Sequence, residues 1–193
     1  MASAADPSSV QAELAAAKHE PRVIWVTQWY RASSERRQAE MAEALARAVQ
    51  CPAVTDAWVF GASDDLRYLR DELLPEVGFV NARVQYLEHD ARLTFEHFLR
   101  GVEGFKNGDL CILANSDCAP DDTLALLAAE PLEGVAVCWS RHDVPATGDA
   151  GEAVLFAENG VSQDAWALRF PFLDVQAAKY TLGTPGCDNR FAW

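Results

Sequence analysis

Asn115, Ser116 and Asp117 interrupt the apolar stretch Gly108 to Asp122 (GDLCILANSDCAPDD) with an amide and a carboxylate at i and i+2. Both oxygens can turn to one side of the chain. Two hard donors of this kind suit Mg²⁺ or Mn²⁺, cations that in turn carry substrate phosphates. The same residues also suit an Asx turn that caps a following helix, and spacing alone does not separate the two roles. A second candidate is Asp164 in SQDAW, an acid just before an apolar run, placed to accept a proton from an attacking hydroxyl. The plainer role there is an N-cap by Ser162 or Asp164, which residue physics favours. The third is the loop GTPGCDNR, Gly183 to Arg190. Its glycines and proline fix a tight turn, after which Asp188 can complete a metal shell and Arg190 can hold phosphate, or the two can simply pair.

These groups need elements to present them. Asp109 to Ala114 reads as a strand apolar on both faces, as does Arg22 to Val26. Val54 to Phe60 and the alternating Val80 to Leu87 supply two more strands. Helices are expected after Ser33 or Ser34, over Asp64 to Leu74 with a stop at Pro75, over Thr94 to Phe105, and over Asp122 to Glu130. This βαβαβαβ order predicts an α/β fold with a mostly parallel sheet flanked by helices. Val135 to Ser140, Ala153 to Ala157 and Ala165 to Phe170 follow without long helices, with Pro145 to Gly151 as a loop, so the C-terminal half is expected to be mixed. Four strand ends then gather on one edge: Thr27 to Arg31, the segment after Phe60, Glu88 to Arg92, and Asn115 to Asp117. Trp29 or Tyr30 could stack on a base, Glu88 or Asp90 accept from its edge, and Arg92 bind a diphosphate. Core packing is the commoner fate of the aromatics, and a solvated helix start that of Arg92.

The 193 residues fit one domain, half of them hydrophobic, and the formal charge is -13. Such a surface repels nucleic-acid backbones and anionic membranes, so neither is an expected partner. Five cysteines without a CxxC pair argue for reduced thiols and a cytoplasmic compartment rather than a zinc or disulfide framework. No run approaches the roughly 20 apolar residues of a membrane span. Residues 1–20, rich in Ala and Ser, read as a disordered leader broken at most by a short helix at Glu13 to Lys18. Histidines 19, 89, 97 and 142 show no ligand spacing, although His89 and His142 fall near the expected site. GxSxG, Walker A and GxGxxG motifs are absent.

Taken in order, ILANSDCAPDDTLALL, WSRHD, SQDAWAL and LGTPGCDNR, preceded by TQWYR and ERRQAE, resemble a GT-A-type glycosyltransferase domain, in particular the small glycosyltransferase-like domains of bacterial, algal and large-virus multidomain proteins. The resemblance covers about residues 22–193 and implies a GT-A-like domain over 21–193 with a Rossmann-like sheet. It places Asn115-Ser116-Asp117 at the DxD position, with Asp117, Asn115 and Asp188 as metal-site residues for Mn²⁺ or Mg²⁺. Asn115 stands where the family usually has an aspartate. Thr27, Gln28, Tyr30, Arg31, Asp90, Arg92, Asn115, Ser116 and Arg190 are the implied nucleotide-sugar contacts, and Asp164 matches the acid that deprotonates the acceptor in inverting members.

The function implied is metal-dependent transfer of a hexosyl or deoxyhexosyl group from a nucleotide-diphosphate sugar, uridine-linked, to a hydroxyl of a glycan or other acceptor. The alternative is a catalytically inactive nucleotide-sugar-binding module, with further domains of a longer chain as its setting. A nucleotidyltransferase is disfavoured, because no Gly-rich, Arg- or Lys-bearing loop follows the first strand.

Overall fold

The apolar run after Pro21 forms β1 (Val23–Gln28), buried through its first five residues. The computed structural model describes residues 20–78, 80–101, 104–140, 142–143, 154–155, 163–172 and 181. The expected leader up to residue 19, the Pro145 to Gly151 loop and the Gly183 to Arg190 loop lie outside the described residues.

α1 (Glu35–Gln50) starts at Ser34, whose Oγ accepts from the Arg37 backbone N–H, and it buries Met41, Ala44, Leu45, Ala48 and Val49. β2 (Asp56–Gly61) is buried throughout. The next helix, α2, consists of Ser63–Tyr68, a π-helical turn Leu69–Leu73, and Leu74–Val77, ending at Gly78 with φ 81°. Pro75 therefore does not stop it. Proline lacks an N–H and crowds a regular α turn; the wider π turn just before it relieves both demands, and the left-handed glycine provides the stop. β3 (Arg83–Glu88), α3 (Phe95–Gly101), β4 (Leu110–Ala114), α4 (Leu124–Ala128), β5 (Ala136–Ser140), β6 (His142–Asp143), β7 (Val154–Leu155) and β8 (Gln163–Arg169) follow.

β3 begins at Arg83 rather than Val80. Asn81 and Ala82 donate their backbone N–H groups to the Val49 carbonyl, and the Asn81 amide binds the carbonyls of Cys51 and Val54, so this segment is tied to the end of α1 instead of the sheet. Within the expected strand Ala153 to Ala157, the described residues Val154 and Leu155 form β7, which pairs with β6 in a separate small ribbon.

The main sheet has the order β3-β2-β1-β4-β8-β5. β3, β2, β1 and β4 run parallel, while β8 lies antiparallel to β4 and to β5. The fold is thus α/β with a six-stranded, mostly parallel sheet and a mixed C-terminal half. Right-handed crossovers explain the layers. From β1 the chain steps outward to β2 and β3, which puts α1 and α2 on one face. It then returns past β1 to β4, which puts α3 on the other. Val23, Trp25, Ala57, Val59 and Ile112 pack on the α1 side. Ile24, Val26, Trp58, Leu113, Trp166 and the Phe95–Phe98 pair fill the α3 side.

At the edge where the parallel strands begin, Arg22 donates from its backbone N–H and guanidinium to the fully buried Asp109, with Nη2 to Oδ2 at 2.6 Å. Arg83 holds the fully buried Asp56 at 2.9 Å. These pairs fasten strand starts together, and every buried carboxylate oxygen has a donor.

Among the described residues no helix is long and apolar enough to cross a membrane. Burial pushes the Cys111 and Cys138 thiols upward, so both behave as packed apolar groups.

Candidate functional site

β1 leads to its neighbour on one side and β4 stands on the other, so the chain reverses its direction of progress between them. In an open α/β sheet that reversal opens a crevice at the carboxyl ends of the two strands. β1 and β4 are buried to their tips, and polar side chains emerge only where the strands stop.

β4 stops at Asn115. A backbone turn closes from the Cys118 N–H to the Asn115 carbonyl at 3.0 Å, and the Asn115 N–H donates to the Asp164 carbonyl at 2.9 Å, adding one rung beyond the β4–β8 ladder. Asn115 and Asp164 thus lie opposite each other on the same face. Their side chains meet, with Asn115 Nδ2 donating to Asp164 Oδ1 at 2.8 Å. This fixes which way the amide points. Asn115 Oδ1 is then buried and finds no hydrogen-bond donor among the described residues. A buried acceptor in that state needs a donor or a cation.

Neither Asn115 nor Asp117 caps a helix. α4 begins later, after Thr123, and Asp121 receives the Thr123 N–H and hydroxyl. The cap proposed for Asp164 also fails, since Asp164 lies inside β8.

Asp117, two residues on, faces the start of α1. Arg37 Nη1 donates to Asp117 Oδ2 at 2.6 Å. The same nitrogen approaches Glu40 at 3.4 Å. The hydrogen bond to Asp117 raises the Arg37 pKa above the usual arginine range; partial burial opposes this, while Asp117's charge and the Tyr30 hydroxyl add to it. The sequence puts Arg37 in the early turns of this helix without giving it a role in the site. The signal was available: a helix that follows β1 in such a sheet starts at the crevice, and Arg37 is three residues from the Ser34 cap, in the first turn.

The tip of β1 differs from its expected role. Thr27 and Trp29 are buried in the core on the α1 side, so Trp29 offers no face for stacking on a base. Trp29 N–H still donates to the Phe60 carbonyl, and a Cβ at Gly61 would lie 2.6 Å from the Trp29 carbonyl, so glycine is required for this approach. Gln28 acts as a clamp. Its Nε2 donates to the Ala91 carbonyl and its Oε1 accepts from the Leu93 N–H, at 2.9 and 2.8 Å. The loop after β3, which bears exposed Asp90 and Arg92, is thereby tied to the tip of β1. Arg31 folds away onto α2, pairing with Asp65 at 3.5 Å over the Tyr68 ring. Tyr30 stays half-buried beside Arg37.

Of the expected site residues, Asn115 meets Asp164, and Asp117 meets Arg37 beside Tyr30, with Ser116 in the turn between Asn115 and Asp117. Thr27 and Arg31 are directed elsewhere. Asp188 and Arg190 lie outside the described residues, but Thr181, seven residues before Asp188, bridges to Thr94 at the start of α3. The structure also pairs His89 with His97, their rings 4.5 Å apart.

No family model matches the chain, and no curated protein matches it. The site therefore rests on its own geometry. Among the described residues no three His, Cys, Asp or Glu side chains cluster as a metal site. The donors present are one carboxylate, Asp117, and one orphaned amide oxygen, Asn115 Oδ1. That set fits a Mg²⁺-like cation, which takes one or two protein oxygens and completes its shell with water and substrate phosphates.

Proposed function

We propose that the crevice between β1 and β4 binds a nucleotide-diphosphate sugar with Mn²⁺ or Mg²⁺, and that the chain transfers the sugar to an acceptor hydroxyl. The observation that carries this reading is the Asn115 side chain. Its amide is held by Asp164 and its orphaned oxygen sits at the topological switch point, one residue from Ser116 and two from Asp117. Asp117 and Asn115 would hold the cation, which when bound would neutralise a diphosphate leaving group. Asp164 is the candidate base. The clamped loop with Asp90 and Arg92, together with Tyr30, would line the nucleoside side, with uridine preferred. The GT-A-like character of the fold belongs to this proposal.

A binding module without transfer is the second reading. It is favoured by one observation, that Arg37 already occupies the Asp117 carboxylate.

Titration calorimetry with uridine and guanosine diphosphates, with Mn²⁺ and with EDTA, tests the proposal. Binding of uridine diphosphate that requires Mn²⁺ and disappears in Asp117→Ala is the expected result. Equal affinity in EDTA, or equal competition by guanosine diphosphate, would overturn the metal or the uridine part respectively.

A further inference from the structure

Arg37 is placed against the preference of its own helix. Positive side chains are disfavoured in the first turn of a helix, where the backbone dipole is positive, yet α1 carries Arg36 and Arg37 there. Glu40 receives both, Arg36 Nε at 3.0 Å and Arg37 Nη1 at 3.4 Å, but only Arg37 reaches across to the β4 turn. Its guanidinium is about a third exposed, as is the Asp117 carboxylate. The contact between them is thus open to exchange rather than locked in the core. It also occupies Oδ2 of Asp117, so a cation that binds this carboxylate competes with Arg37 for it.

We propose that Arg37 is an internal counter-ion exchanged during ligand binding. Without a divalent cation its guanidinium neutralises Asp117. When the cation takes Asp117, Arg37 is released to Glu40 and to the incoming diphosphate, for which a guanidinium is a bidentate partner. Arg37 therefore weakens binding of the bare cation and strengthens binding of the cation with its diphosphate, which couples the two. This inference rests on the diphosphate reading of the crevice.

The test compares wild type, Arg37→Gln and Arg36→Gln in three calorimetric titrations: MnCl₂ alone, uridine diphosphate alone, and uridine diphosphate in saturating MnCl₂. Arg36→Gln removes the same charge from the same turn without touching Asp117. Arg37→Gln is expected to bind Mn²⁺ alone about fivefold more tightly, the scale of one partly exposed ion pair. It is expected to bind the diphosphate in Mn²⁺ about tenfold more weakly. Arg36→Gln should match wild type in both. Thermal melts of the three proteins exclude misfolding, and Arg37→Lys, which keeps charge but not the fork, should restore the bare-metal affinity to wild type while recovering little of the diphosphate affinity. If wild type binds uridine diphosphate with Mn²⁺ and Arg37→Gln changes neither titration, or only the first, the exchange is overturned and the site reading stands. If wild type binds uridine diphosphate under no condition, the site reading itself falls, and the exchange with it.

Discussion

Asn115 donates its side-chain amide to Asp164 across the last rung of β4 and β8, at 2.8 Å. The pairing follows from register. Ala114 lies opposite Ala165, so the next residues outward on each strand meet on the same face. Because Asp164 is within a strand and its Oδ1 is an acceptor here, the bond tells catalysis from architecture in a single substitution. Asp164→Asn keeps an oxygen for Asn115 Nδ2, so stability should stay near wild type. If Asp164 is the base, transfer should fall by roughly 10²-fold or more while donor affinity changes little. Near-normal transfer in this variant, measured beside donor affinity on the same preparation, removes Asp164 from the chemistry. Absence of transfer in both proteins with donor binding intact favours the binding module.

The same pair determines what an aspartate does at position 115. Asn115→Asp replaces the donated hydrogen bond by two facing carboxylates, and like charges this close repel. The variant should therefore melt below wild type in EDTA at neutral pH. A divalent cation should return most of that loss, because ligand binding to the folded state alone stabilises it. Differential scanning fluorimetry with and without Mn²⁺ reads this directly. A variant as stable as wild type in EDTA contradicts the close facing of positions 115 and 164, and one that Mn²⁺ leaves unchanged contradicts the proposed cation site.

The strands that build the crevice were legible because central parallel strands are apolar on both faces, and VIWV and LCILA leave no other role open. The polar punctuation after each of them was enough to place Asn115 and Asp117 at the carboxyl edge. What the chain does not write locally is which polar groups are consumed by tertiary contacts. Gln28 reads as a free amide at a strand tip, yet both of its polar atoms are taken by a loop more than 60 residues away. Trp29 reads as an available ring, yet its backbone N–H is bound to the Phe60 carbonyl and its ring is buried in the core. Arg37 is one of several helix-surface arginines until β4 brings Asp117 within 2.6 Å. Asp56 and Asp109 gave no sequence signal as buried charges, since only the approach of Arg83 and Arg22 makes their burial tolerable.

His89 predicts a pH response. Burial lowers its pKa from the ordinary value of 6.5, the neighbouring His97 lowers it further, and Asp90 pulls the other way. The folded state therefore prefers neutral His89 more than the unfolded chain does. That contribution is complete above the unfolded value of about 6.5 and is lost as pH falls through the lower folded value. Urea unfolding at a series of pH values from 7.5 downward should show declining stability below about 6.5. His89→Gln, which cannot be protonated there, should flatten the decline. An identical pH profile in wild type and variant assigns the response to other groups.

Gln28 distinguishes direct ligand contact from positioning. Its two hydrogen bonds to Ala91 and Leu93 hold the loop that bears Asp90 and Arg92 against the tip of β1. At about 0.5–1.5 kcal/mol each, their loss in Gln28→Ala should cost roughly 1–3 kcal/mol locally. Amide exchange at Leu93 should accelerate, because its N–H loses its acceptor. If the loop completes the nucleoside pocket, affinity for uridine diphosphate should fall in parallel with Leu93 protection. Gln28→Glu should fall between, since a carboxylate still accepts from Leu93 N–H but donates nothing to the Ala91 carbonyl. The two roles separate on a single comparison. A loss of nucleotide affinity with Leu93 protection unchanged means that Gln28 touches the ligand itself, and faster exchange at Leu93 with affinity unchanged means that the loop has no part in binding.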